Sequence, residues 1–417
     1  PWYLAMHLRH GPQFLDRLIF HDMWKRALTH VHDTNEGDDT SVRFYVWQLG
    51  YALFPWTGLV PAAIVAFARR PDDDHEARGD ASIFLATWFV LAFALFSAML
   101  TKFHHYIFPA VPAAAMLVGV LADRWLPRQV KALAFALAAL GGVLVAYGAY
   151  RLMPGQLDGW RGELGWLRPP SVPVAVAALS AGVALAAWVG WHTWGDEPGR
   201  ERDPRVPAVA ALSGAALVGL VARDLVVRPA GDAVGEARLL YLFTYNYKRL
   251  FPEHLDFRAL LVGVSVGAVI ATLVAAAPRL RAVGLAMLTG VSLGFAAWGL
   301  WAYFPKTSPH WGQRETISAY YARRASPQEP LVAFQMNWKG ENFYTGNHVP
   351  AFVSSGERFK VWVKEQRARG LRVFFFTTEH RSVGALRAEL GNPPRFETLT
   401  DMRLCNKFAL VRVTFPE

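Results

Sequence analysis

Residues 81–100 read ASIFLATWFVLAFALFSAML, and residues 101–112 continue TKFHHYIFPAVP. The first stretch carries no charged side chain over 20 residues. That is the length needed to cross the hydrocarbon core of a bilayer as a helix. The second places a cation, two imidazoles and a phenol (Lys102, His104, His105, Tyr106) where such a helix reaches the membrane surface. Ionisable groups at that depth are costly, and they commonly mark a substrate or ion pathway. Interface anchoring with a snorkelling lysine is the plainer reading. Two adjacent histidines are more than anchoring requires, and neutral imidazoles can both donate and accept hydrogen bonds.

Outward from this stretch the pattern repeats. Apolar runs of spanning length lie at roughly 45–68, 81–100, 106–122, 132–150, 172–193, 206–227, 259–277 and 282–304. The expected fold is therefore an α-helical polytopic membrane protein of about eight transmembrane helices. The third run is short and contains Pro109 and Pro112, which a spanning helix tolerates when neighbours satisfy the freed backbone. Phe54-Pro55-Trp56 falls inside the first run and predicts a kink there. Gly and Ala recur along the runs, as at 139–142 and 263–267, permitting close helix approach.

The loops set the orientation. Loops 69–80, 123–131, 194–205 and 278–281 hold 11 Lys and Arg in 37 residues, whereas 101–105, 151–171 and 228–258 hold 9 in 57. The positive-inside rule makes the first set cytoplasmic. The expected organisation is an extracytoplasmic amphipathic loop at 1–44, a transmembrane domain at 45–304 and an extracytoplasmic domain at 305–417. In the last region short apolar runs at 331–336, 349–353, 372–378 and 408–415 alternate with helical patterns at 356–369 and 380–390. That alternation predicts a small α/β domain. It contains no Gly-rich phosphate loop and no nucleophile elbow, so a binding or covering role is expected of it.

Composition agrees with this plan. The chain has 417 residues, 53% hydrophobic and 18% charged, with 16 Trp and 27 Phe, and a mean hydropathy of +0.18. These values argue against disorder and for spans combined with a polar domain. A net charge of +10 has no basic face with interleaved aromatics, so no nucleic-acid partner is expected. Contact with anionic lipid headgroups explains the charge better. A single cysteine, Cys405, excludes an internal disulfide framework and a multi-cysteine metal site. The sequence starts at Pro1, without Met or a signal-peptide pattern, and is expected to be preceded by further chain.

Within 1–44, His30, His32, Asp33, Asp38 and Asp39 combine imidazole and carboxylate. Such groups suit a divalent metal, but the spacing matches no strong signature, and a solvated loop with Asx turns is the plainer alternative. Lys25 and Arg26 close an amphipathic piece. They suit either a headgroup contact or a phosphate clamp, since Arg matches phosphate bidentately and Lys acts as a point charge.

Taken in order, Pro1-Trp2-Tyr3, Phe20-His21-Asp22-Met23-Trp24-Lys25-Arg26, Phe54-Pro55-Trp56 and the Lys102–Pro112 run resemble the later part of the polytopic glycosyltransferases that use polyprenyl-phosphate sugars. That group includes the protein O-mannosyltransferases and the aminoarabinose transferases that modify lipid A. The resemblance is good over about residues 1–125, weak over the later spans, and returns loosely in the α/β tail. It implies an enzyme of the bacterial inner membrane. A sugar would pass from a polyprenyl-phosphate donor to a protein, lipid or glycan acceptor at the outer face, with membrane lipids around it. It further implies that Arg26, Lys102 and Tyr106 lie near the donor phosphate and that His104 and His105 shape the pocket. His21 would fall near the cavity, where a divalent metal could sit beside it, with no other cofactor expected. The family's key acidic residues belong to an earlier outer loop, so no catalytic residue is assigned in this chain. His104-His105 and the acidic run at 33–39 depart from the family pattern, as does the number of spans. A transporter, a lipid-handling scaffold or a non-catalytic membrane subunit is the alternative reading.

Overall fold

The computed structural model describes residues 1–29, 41–69, 80–126, 132–150, 170–193, 203–227, 235–244 and 251–416, the last stretch without 337, 355, 392 and 394. Two compact units emerge. One comprises Pro1–Phe251 with Asp256–Trp298, and the other Gly299–Glu417 with Pro252–Leu255.

Each apolar run of the sequence is helical. Among the described residues six helices are long and apolar enough to cross a membrane: Asp80–Ala98, His104–Trp125, Val172–His192, Arg205–Val226, Arg258–Ala276 and Pro278–Trp311. The chain is an integral membrane protein. The first run, 45–68, breaks at the kink expected of Phe54-Pro55-Trp56. It is a pair of helices, Val42–Ala52 and Trp56–Ala68, bent by 120°. Pro55 sits in the break, where it removes a backbone donor and its ring obstructs the preceding turn. The run at 132–150 is also helical, with Leu133–Gly148 as a shorter apolar helix.

Small residues let these helices approach. A Cβ on Gly290 would meet Gly142 Cα at 2.7 Å, and one on Gly58 would meet Gly214 Cα at 2.6 Å. Both separations are below any real Cβ contact, so helices 281–298 and 132–150 touch backbone to backbone, as do 56–59 and 205–226. Hydroxyls inside the bundle return to the helix backbone: Ser265 Oγ donates to Leu261 O at 2.6 Å and Thr272 Oγ1 to Ala268 O at 2.8 Å. This satisfies polar atoms that hydrocarbon cannot.

Before the first broken span the chain is helical but not membrane-spanning. Trp2–His10 and Pro12–Leu15 lead into a wide π-type helix, Asp16–Lys25, and a last turn, Arg26–Leu28. Trp2, Leu8, Phe20 and Trp24 are all more than half exposed, in keeping with the amphipathic reading of this segment.

The second unit carries a five-stranded sheet of order β2-β1-β3-β5-β4. Its strands are β1 (Leu331–Phe334), β2 (Ala351–Phe352), β3 (Val373–Glu379), β4 (Arg395–Thr398) and β5 (Phe408–Thr414). β1 runs parallel to β2 and β3, and β5 is antiparallel to β3 and β4. The period-2 alternation of a strand sends Phe375 to one face with Ile317, Tyr320 and Leu410. Phe374 and Phe376 go to the other, against Phe359 and Val363 of the Glu357–Ala368 helix. Four strands coincide with expected runs. β4 escapes sequence reading because it is a half-exposed edge strand containing Arg395 and Glu397, the charged character by which edges resist further pairing. At the end of β3, the buried Glu379 carboxylate accepts the Trp338 indole N–H at 3.0 Å and pairs with Lys407 at 3.2 Å.

Candidate functional site

The site candidates gather where helix 80–98 ends and the 3₁₀ turn His104–Ala110 begins. Lys102 is fully buried. Its Nζ donates to Ser97 O at 2.6 Å, Met99 O at 2.8 Å and Phe96 O at 3.5 Å, and lies 5.2 Å from the Tyr45 ring centroid. An ammonium over the exposed carbonyls of a helix C-terminus satisfies orphan acceptors and complements the helix dipole. In this position it closes the end of the helix.

Above this cap, Tyr45 donates from its hydroxyl to Phe103 O at 3.2 Å, fixing the turn against helix 42–52. His104, His105 and Tyr106 are half-buried. His104 packs between Phe44 at 5.3 Å and Tyr241 at 5.5 Å. Tyr106 is enclosed by Phe96 at 5.7 Å, Phe103 at 5.0 Å and His105 at 5.0 Å. The aromatic shell orients three polar side chains with little rotamer freedom, as a binding site requires.

The Arg26 segment reaches the same place. Leu100 N donates to Ala27 O at 3.0 Å, and Thr101 Oγ1 donates to Thr29 O at 2.9 Å. Arg26 opens the Arg26–Leu28 turn, so its backbone is anchored beside the Lys102 turn, while its side chain lies outside the described residues. His21 is bonded locally: its Nδ1 is 3.1 Å from Asp22 Oδ1, and Arg17 Nε is 3.5 Å from Asp22 Oδ2. One imidazole and one carboxylate fall short of the three protein ligands of a catalytic zinc. Among the described residues no group of three or more His, Cys, Asp or Glu could hold a metal. His30, His32, Asp33, Asp38 and Asp39 lie outside the described residues.

Sequence reasoning missed a second wall. The short helix Ala237–Tyr241 brings Tyr241 onto His104 and Arg238 within electrostatic reach of it. The Arg238 guanidinium lies 5.5 Å from the Tyr51 ring, and its Nε donates to Asp224 O at 3.2 Å. Tyr51 in turn donates its hydroxyl to Asp224 Oδ2 at 3.0 Å. Only Arg238, in the loop 228–258, could have hinted at this, and that loop carries several other cations.

Set against known proteins, the chain matches no family model. It is 32% identical over 124 residues to the undecaprenyl phosphate-alpha-4-amino-4-deoxy-L-arabinose arabinosyl transferase of Pseudomonas aeruginosa PAO1, covering 28% of this chain and 20% of that protein. It is 30% identical over 133 residues to the enzyme of the same name, number 1, from Pseudomonas fluorescens Pf0-1, covering 31% and 21%. The chain resembles the lipid-linked-sugar membrane glycosyltransferases. The matched part spans about a fifth of these relatives' length. Among solved structures, ArnT from Cupriavidus metallidurans bound to undecaprenyl phosphate aligns with all of this chain and 59% of its own, at 16% identity and a TM-score of 0.37.

Proposed function

We propose that the protein is a glycosyltransferase that moves a sugar from a polyprenyl-phosphate donor to a lipid, glycan or protein acceptor at the outer face of the bacterial inner membrane. The reading is carried by one observation. Two elements about 75 residues apart, the Arg26 turn and the Lys102–Tyr106 turn, are bonded to each other through Ala27–Leu100 and Thr29–Thr101. The likeness to aminoarabinose transferases supports it. So does the loop charge asymmetry, which favours an outer position for this end of the bundle and for the α/β unit.

In the proposed reaction the bond between the sugar's anomeric carbon and the phosphate oxygen breaks. The electron pair leaves with the phosphate, and the acceptor oxygen bonds to that carbon while its proton passes to the departing phosphate or to water. Arg26 and the Tyr106 hydroxyl meet the leaving phosphate, where fixed donors are most effective. Lys102 holds the turn from below and adds positive charge. His104 and His105 line the sugar side. A divalent metal near His21 remains part of the proposal only as a partner of His21 and Asp22.

The test is sugar transfer from a polyprenyl-phosphate donor by the full-length enzyme in membranes. Arg26→Ala and Tyr106→Phe are each expected to lower kcat/KM by about tenfold or more with an unchanged melting temperature. Unchanged turnover in both variants overturns the assignment.

A further inference from the structure

His104 stands in a closed circuit of contacts. Phe44 flanks its imidazole at 5.3 Å and Tyr241 at 5.5 Å. These two aromatic rings belong to different helices, Val42–Ala52 and Ala237–Tyr241. About two turns on from Phe44, along the same helix face, stands Tyr51. One turn before Tyr241, again on one face, stands Arg238. The Arg238 guanidinium lies 5.5 Å from the Tyr51 ring, and this contact closes the circuit.

Asp224 fixes that last link from both sides. Tyr51 donates its hydroxyl to Oδ2 at 3.0 Å, and Arg238 Nε donates to the main-chain carbonyl at 3.2 Å. Tyr51 is buried and Arg238 half-buried, and a cation partly out of water holds an aromatic face more strongly than an exposed one. The other links are contacts between rings, along which two helices can slide. The Arg238 hydrogen bond is directional, so it sets the position. The short helix has a separate anchor at its start, where the buried Glu236 accepts Phe257 N at 2.6 Å. Loss of the guanidinium therefore loosens one side of the circuit without releasing the segment.

We infer that Arg238 is a positioning residue: by tying helix 237–241 to helix 42–52 over Asp224, it sets the gap in which the His104 imidazole stands. It acts through Tyr241 and His104. The inference rests on the function proposed above, in which His104 lines the sugar side, and adds to it a residue outside the recognised motifs.

His104 itself reports the outcome. Full-length protein in detergent is treated with diethyl pyrocarbonate, and carbethoxylation of each imidazole is followed by peptide mass spectrometry. Arg238→Met keeps an unbranched side chain and removes the guanidinium. It is expected to raise the modification rate of His104 by about fivefold, the equivalent of one lost hydrogen bond. The exposed His348 should react as in the wild type. Tyr241→Leu should raise the His104 rate likewise, and the double variant no further. Arg238→Lys keeps a cation over Tyr51 and should restore the wild-type rate. Arg223→Gln removes a contact made to Asp224 from outside the circuit and should leave His104 unchanged.

Sugar transfer supplies the second readout. Arg238→Met should lower kcat/KM by about tenfold in the wild-type background and no further in a His104→Ala background. An unchanged His104 rate, or losses of transfer that add in the two backgrounds, overturns the inference while the wild type still transfers sugar. If Arg238→Met does not fold, an unchanged His104 rate in Tyr241→Leu overturns it equally. A wild type that transfers no sugar from a polyprenyl-phosphate donor overturns the proposed function, and the positioning role with it.

Discussion

The Thr101 hydroxyl donates to the Thr29 carbonyl at 2.9 Å, and through this bond the end of the amphipathic N-terminal segment is held against the turn that follows helix 80–98. Leu100 N to Ala27 O makes the second rung. The pair determines where Arg26 stands relative to Tyr106. Replacing Thr101 by Val keeps the shape and removes the donor, leaving the Thr29 carbonyl with one bond fewer. The expected cost is about 1 kcal/mol, read as a lower melting temperature. Transfer should fall further than stability, because a phosphate clamp is sensitive to small displacements.

Lys102 gives a prediction that separates two roles. As the cap of helix 80–98, its replacement by Met should destabilise the protein by about 3 kcal/mol, since charged hydrogen bonds are lost to carbonyls that stay buried. A thermal melt in detergent checks this. A Lys102→Met protein that melts like the wild type and only binds donor more weakly would return Lys102 to the role of a direct phosphate contact.

Tyr45→Phe removes the hydroxyl that donates to Phe103 O and keeps the ring under the Lys102 ammonium. The expected loss is about 1–2 kcal/mol. Tyr45→Leu should lose more, because the cation–π contact and aromatic packing go as well. The difference between the two variants measures the contribution of the ring.

Gly290 tests the packing of the bundle. With Gly142 Cα only 2.7 Å from a built Cβ, Gly290→Leu cannot be accommodated by a rotamer change, and helices 132–150 and 281–298 must separate. Loss of the monodisperse protein in detergent is expected, whereas Gly119→Leu, in open space, should remain folded.

In the α/β unit, Asp401 Oδ1 accepts Leu404 N at 2.9 Å and Arg403 N at 3.1 Å. The bond from Leu404, with that from Arg403 and its charge, holds this carboxyl below its usual range. A depressed folded-state value means that the stabilisation is complete above the unfolded-state value. It is lost as pH falls through the folded one. Asp401→Ala should therefore melt lower than the wild type at neutral pH. The gap should narrow once pH falls below about 4, and a gap that widens on acidification would contradict this sign.

Much of the architecture is written in local chemistry. The run 81–100 has no alternative to a spanning helix, because a bilayer core accepts only backbone that satisfies itself. The Phe-strand at 372–378 becomes β3 because its alternating side chains can fill two cores at once. The break at Pro55 follows from a missing donor. β4 stayed hidden because an edge strand needs little apolar surface, and its charges imitate a loop.

For the site, the sequence by itself determined the candidates: Arg26, Lys102, the two histidines and Tyr106, each marked by its distance from an apolar run. Only tertiary structure shows what surrounds each of them. The Lys102 ammonium lies on the Phe96, Ser97 and Met99 carbonyls, which a lysine side chain is long enough to reach. Arg238 and Tyr241 joined His104 from more than 130 residues away. Hydrogen-bond demand and helix packing act between segments that are distant in sequence, so spacing along the chain carries no record of them.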